Sequence, residues 1–226
     1  MLIKQNLFMG IKEIVIIGAG GFGREVKCLI DQINTEKSKF NLIGFIDDKL
    51  PIGTIVNGIQ VIGDLEFLIK TEKNISIAIG IGDPIVKREI VNKLSSINFD
   101  FPNLIHPNAI ISSDSVVFGK GNIISAGNII TCNILFHNYI TLNLFCTVGH
   151  DTIIKDFASF MPSVNISGEV LINECVYVGT GAKIINKLEI GKNVTIGAGA
   201  VVTKDLPDHC TAVGIPAKPI KFHSEI

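Results

Sequence analysis

His150 and Asp151 are the pair in this chain whose types suit proton transfer. An imidazole with an unperturbed pKa of about 6.5 fits general-base work near neutral pH. A carboxylate beside it can hold one tautomer and stabilise the imidazolium. Eighteen residues further on stands Gly168, whose backbone N–H could donate to an oxyanion formed next to such a base. A second constellation is Gly18, Gly20 and Gly23 in G-x-G-x-x-G spacing, with Asp47-Asp48 downstream. Glycines there let an anionic group approach the N–H groups at a helix N-terminus. Three readings are open: an NAD site, a site for a single nucleotide, and a tight turn with no ligand. The roughly 90 residues around it are short for the two halves of a dinucleotide fold. His137 lies thirteen residues before His150, but a metal site needs a third ligand, and His106 is offset from the same groove. His106, ahead of Pro107, reads as a structural junction residue; His209 and His223 are expected in solvent.

The elements that must hold His150 are set by a six-residue repeat. From Ser112, every sixth residue through Phe118, Ile124, Ile130 and onward to Val202 is apolar, Ser112 alone excepted. Four residues after many of these stand small or aliphatic residues such as Cys146, Ala158, Val164 and Ala182. This period matches neither a helix nor a two-residue strand alternation. It matches a short strand and a turn, three of which close one eighteen-residue coil of a parallel β-helix. An antiparallel sandwich would not sustain such a period. His150, two residues after the inward Val148, then falls near a corner and points out.

The front of the chain alternates strand and helix. Ile14 to Ile17 reads as a buried strand, followed by the glycine turn and a helix bearing Val26, Leu29, Ile30 and Ile33. Leu42 to Ile46, Ile59 to Ile62 and Ile75 to Ile81 read as further strands. Asp83 as N-cap and Pro84 at the first turn open a helix to about Leu94. This order predicts a parallel sheet, with a junction at Phe101 to Pro107.

The chain has 226 residues, a formal net charge of −1 and 47% apolar content, enough for one large or two modest domains. The balanced charge gives no footprint for nucleic acid or a membrane surface. Five scattered cysteines without a CxxC pair read as free thiols of a reducing cytoplasm. No apolar run is long enough to span a bilayer, and Met1 to Gly10 shows no signal-peptide cleavage pattern.

The stretches Gly18–Gly23, Ile46-Asp47-Asp48, Gly80-Ile81-Gly82-Asp83 and Gly149-His150-Asp151 are spread along most of the chain. The tail completes them, with Ile196-Gly197-Ala198-Gly199-Ala200 and Val213-Gly214-Ile215-Pro216-Ala217-Lys218. Together they resemble the NeuD/PglD-type sugar acetyltransferases, bacterial enzymes that modify activated amino sugars or sialic acids. The resemblance implies an α/β Rossmann-like domain over 1–104 that binds a nucleotide sugar. It implies an all-β left-handed parallel β-helix over 105–226, and a homotrimer with acetyl-coenzyme A between adjacent β-helices. It implies no metal. The base then falls on His150, its acidic partner on Asp151 (often Glu in relatives) and the thioester-binding N–H on Gly168. A second histidine of some relatives is replaced by Ser159. Coenzyme A contacts fall on Ser159, Gly168, Gly179, Gly181, Ala182, Gly197, Ala198 and Lys218. The nucleotide falls on Gly18, Gly20, Gly21, Phe22, Asp47, Asp48 and Lys49. N-acetylation of a nucleotide-activated amino sugar is the activity implied. Sugar O-acetylation, a non-catalytic nucleotide-sugar-binding subunit and a serine-acetyltransferase-like role are the alternatives.

Overall fold

Residues 10–71 and 75–224 are described in the computed structural model, so the signal-peptide reading of Met1 to Gly10 lies almost wholly outside them. The first unit runs β1 (Lys12–Ile17), α1 (Gly21–Glu36), β2 (Phe40–Ile46), β3 (Ile55–Val56), β4 (Ile59–Gly63), α2 (Leu65–Lys70), β5 (Ser76–Ile79) and α3 (Pro84–Leu94). Its sheet has the order β3-β4-β2-β1-β5, parallel except where β3 meets β4. Ile14, Val15 and Ile16 have no exposed surface, as a central parallel strand with both faces covered requires. α1 turns Val26, Leu29, Ile30 and Ile33 inward. Asp83 caps α3 by accepting from the N–H groups of Ile85 and Val86. Two elements escaped the sequence reading, β3 and α2. The β3–β4 hairpin turns on Asn57-Gly58, both at positive φ, a recognisable signal for such a turn. α2, capped by Asp64, is too short to show helical periodicity.

From Leu104 onward the chain winds into a three-sided stack of short parallel strands. One side climbs from Ile110–Ile111 to Val201–Val202, the second from Val116–Phe118 to Glu189–Ile190, and the third from Leu104–Ile105 to Thr195–Ile196. Each strand pairs with the one eighteen residues on: Val148 with Ile166, Ile154 with Ile172, Phe160 with Val178. The every-sixth residues from Ile124 to Val202 form one buried interior column. The second rank, including Cys146, Ala158, Val164 and Ala182, is buried with them. Corners are made by residues at positive φ, among them Asn133, Asp151, Glu169 and Lys187. Asn and Asp tolerate that left-handed conformation better than most residues.

The repeat departs from strict spacing at both ends. Ser112 is not an interior position, contrary to the sequence reading. Ile111 stacks on Ile130, and the extra residue is absorbed in the bend through Ser113-Asp114-Ser115. At the far end Leu206, not Asp208, lies against Ile190, and Thr211 pairs with Thr195, so this coil spans sixteen residues. A charged Asp could not occupy the dry interior, and the chain shortens to bring Leu206 in. An antiparallel hairpin, Cys210–Gly214 with Ala217–Phe222, ends the third side.

The α/β unit docks on that third side. Phe101 meets Tyr139 edge-on at 5.3 Å, and Tyr139 stacks on Phe157 at 5.2 Å. Beneath α3, Lys87 is fully buried, and its ammonium donates to the Tyr139 carbonyl (2.8 Å) and Thr141 Oγ1 (3.1 Å). Loss of water pushes its pKa down to about 7, against smaller opposing pulls from Cys175 and Asp83. Among the described residues no helix is long and apolar enough to cross a membrane.

Phe160, wholly enclosed in the interior column, should cost about 3–5 kcal/mol when changed to Ala, measured by denaturant unfolding. Between about pH 7 and 10.5 the folded chain holds fewer protons on Lys87 than the unfolded chain, so stability rises with pH there. Lys87→Met should abolish that rise, so the unfolding free energy of wild type gains on the variant as pH climbs. A constant gap would mean that Lys87 titrates normally.

Candidate active site

His150 stands at the corner between the first and second sides, directly after the strand Thr147–Val148. Its Nδ1 lies 2.7 Å from Asp151 Oδ2, and both side chains are about half exposed. The ring reaches over the coil above. A Cβ built on Gly168 would stand 2.5 Å from His150 Nε2 and 2.6 Å from Cε1, so only glycine leaves the imidazole this position. Gly149, just before His150, lets the two coils' backbones approach, since a Cβ there would stand 2.5 Å from the Gly168 nitrogen. Among the described residues the Gly168 N–H has no hydrogen-bond partner, while its carbonyl accepts from Lys187. The corner thus holds a base with one nitrogen tied to a carboxylate, the other over glycine, and a free donor beside it. Asp151 is held below the ordinary carboxylate range by its bonds to His150 and then to Asn133.

The glycine turn is built around Asp47. Its Oδ2 accepts from the Ala19 N–H (2.8 Å) and its Oδ1 from Lys49 and Leu50 N–H (2.9 and 3.1 Å). Burial alone would raise this carboxyl, but the three N–H groups outweigh it and the pKa falls. Asp48 Oδ1 accepts from Leu65 N–H at the start of α2. Both acids expected to meet a nucleotide therefore also tie the chain to itself. Gly18, at φ +94°, and Gly23 serve packing: a Cβ on Gly80 would stand 2.6 Å from the Gly23 Cα. Gly20 and Gly21 differ, since a Cβ on Gly20 meets nothing within 4 Å. The space over the α1 N-terminus is open there. Phe22 is half buried against the α/β core, and Lys49 is exposed.

The residues expected to line coenzyme A divide. Gly179, Gly181, Gly197 and Ala198 share the corner that follows the third side, a different edge of the prism from that of His150 within one chain. Lys218 is exposed on the closing hairpin. Two do not fit. Ala182 is an interior residue with no exposed surface. Ser159 is also fully buried, on the third side between Thr141 and Tyr177, where the α/β unit covers the prism. Among the described residues its Oγ has no hydrogen-bond partner.

The remaining histidines sort by local contacts. His106 is buried at the junction and accepts from Asn108 N–H, as a structural residue does. His137 Nδ1 is 3.9 Å from Asp156 on another corner. His209 and His223 are not solvated, contrary to expectation. Both are half buried and line a cleft of about 550 Å3 with Asp83, Met161, Tyr177 and Thr195. The closing hairpin folds them back, which no periodicity announces. No group of three or more His, Cys, Asp or Glu placed to hold a metal is found among the described residues.

Residues 13–94 match the family described as the PglD N-terminal domain. A GDP-perosamine N-acetyltransferase of Escherichia coli O157:H7 is 32% identical over 217 residues, covering 91% of this chain and 95% of that protein. The acetyltransferase domain of PglB from Neisseria gonorrhoeae FA1090, solved in complex with acetyl coenzyme A, superposes with a TM-score of 0.85 at 32% identity, over 93% of this chain and all of that one. PerB from Caulobacter crescentus, solved in complex with CoA and GDP-perosamine, gives a TM-score of 0.81 at 30% identity, over 94% of this chain and 99% of that one. By sequence and architecture along nearly its whole length, the chain belongs to the NeuD/PglD-like family of sugar acetyltransferases.

Proposed function

We propose that this protein transfers the acetyl group of acetyl-coenzyme A to the amine of a nucleotide-activated amino sugar, for surface glycan synthesis, with His150 as general base. The observation that carries the reading is the His150 ring, fixed at Nδ1 by Asp151 and laid over Gly168. The relatives solved with coenzyme A and GDP-perosamine support the two substrates. A neutral amine attacks the thioester carbonyl, and the C–N bond forms as His150 Nε2 takes the amine proton. Asp151 stabilises the imidazolium. The Gly168 N–H donates to the oxyanion. The C–S bond then breaks, and the thiolate takes the proton back from His150. No covalent enzyme intermediate is required.

The nucleotide end belongs, in this reading, over Gly20, Gly21 and the α1 N-terminus, where the open turn and helix dipole suit a pyrophosphate. Asp47 shapes that turn, while Asp48, Lys49, Gly18 and Phe22 flank it. The prism is taken as left-handed and the assembly as a homotrimer. Exposed aliphatic residues flank the catalytic corner on two sides: Ile110 (64%) and Ile129 on one, Val117, Leu135 and Ile153 on the other. Such a patch suits coverage by a second copy, which would also shelter the half-exposed His150. Gly179, Gly181, Gly197, Ala198 and Lys218 would then meet coenzyme A across the seam. All five cysteines are free thiols, which fits a cytoplasmic enzyme.

Release of coenzyme A thiol, with acetyl-coenzyme A and GDP-perosamine as the first acceptor assayed, tests the reading. His150→Ala should lose about 10²–10⁴-fold in kcat with unchanged unfolding. Gly168→Ala should lose at least about tenfold, because the added methyl evicts the ring. Wild-type turnover in His150→Ala would remove this residue from the chemistry. Acetylation of hydroxyl acceptors alone would move the activity to O-transfer.

A further inference from the structure

Asp151 sits in a vertical column of corner residues, each one coil apart and each at positive φ: Ser115, Asn133, Asp151, Glu169 and Lys187. The carboxylate of Glu169 stands in the coil directly above that of Asp151 and is drawn towards Lys187 Nζ at 3.8 Å. From the coil below, Asn133 Nδ2 donates to Asp151 Oδ1 at 3.1 Å. This leaves Oδ2, at 2.7 Å, for His150 Nδ1. The carboxylate is exposed and on a short side chain, so one bond to the ring would leave it free to rotate. The second bond, to its other oxygen, fixes its plane.

We propose that Asn133 is a positioning residue: by holding Asp151 from the coil below, it keeps neutral His150 in the tautomer protonated on Nδ1 and so leaves Nε2 free as the base. Free imidazole prefers the other tautomer, and the partner of one ring nitrogen decides which form is present. The proposal rests on the role given above to His150, but its principal test does not need turnover.

The test is the 15N spectrum of the imidazoles above their titration range in the full chain. The His150 signals are assigned by their loss in His150→Ala. Wild type should show the Nδ1-protonated form in excess. Asn133→Gly keeps the positive φ at no steric cost and removes the amide, so it should shift the population towards the Nε2-protonated form. Asn133→Asp keeps the shape but sets a second carboxylate against Asp151, and should shift it at least as far. In the Asp151→Gly background, adding Asn133→Gly should change nothing further, since Asn133 acts only through Asp151. With acetyl-coenzyme A and GDP-perosamine, Asn133→Gly should lower kcat about tenfold and leave the KM for acetyl-coenzyme A within twofold. An unchanged tautomer in Asn133→Gly, or a further shift in the double variant, overturns the proposal. Wild-type turnover in His150→Ala overturns the catalytic reading itself, whatever the tautomer result.

Discussion

Everything in this protein hangs on one coil lying in register on the next. Backbone hydrogen bonds pair strands in a register of eighteen residues, and the interior residues of successive coils touch as one buried column. A single coil could not bury its own apolar face, so each depends on its neighbours. The same stacking places the chemistry. His150 meets Gly168 because they occupy the same corner position one coil apart, and Asn133 meets Asp151 for the same reason. A slip of one residue would turn interior side chains outward and part every such pair.

The α/β unit is held to this scaffold by an aromatic stack and a buried ammonium. Tyr139 lies between Phe101 and Phe157, and Lys87 reaches the Tyr139 carbonyl beside them. A lysine with no ion pair among the described residues in such a place is costly, and its pKa moves accordingly. What it supplies is a donor for polar groups on the outer face of the third side that the docked unit cuts off from water. Ser159 Oγ, close by on the same face, goes without.

The prism was legible because its signal is periodic and dense, with interior residues repeating from Ile124 to Val202. The meeting of His150 with Gly168 was legible because eighteen residues, one coil, separate them, and Asp151 directly follows His150. The ends were not, because the repeat there is broken by a single inserted residue near Ser112 and by the short coil that brings in Leu206. The burial of Ser159 was not legible, because sequence spacing reports which side a residue occupies but not what docks on that side. Lys87 carries no sequence mark of burial, since its helix reads as an ordinary amphipathic segment. His209 and His223 were misread because the closing hairpin returns them to a cleft. Asp47 was read from the sequence as a nucleotide contact; its bond to the Ala19 N–H of the glycine turn and its two bonds to Lys49 and Leu50 in its own loop depend on geometry that the sequence leaves open.

A stack of parallel strands is open-ended by nature, since its last rung offers unpaired N–H and C=O groups to any similar strand. Here the third side does not stop on such a rung. Cys210–Gly214 is followed by Ala217–Phe222 running the opposite way. Reversal of direction, together with Pro216 and Pro219, gives an incoming parallel rung a mismatched and partly donorless rim. On the third side the tail thereby opposes the addition of a further parallel rung to a fold made from one repeating unit.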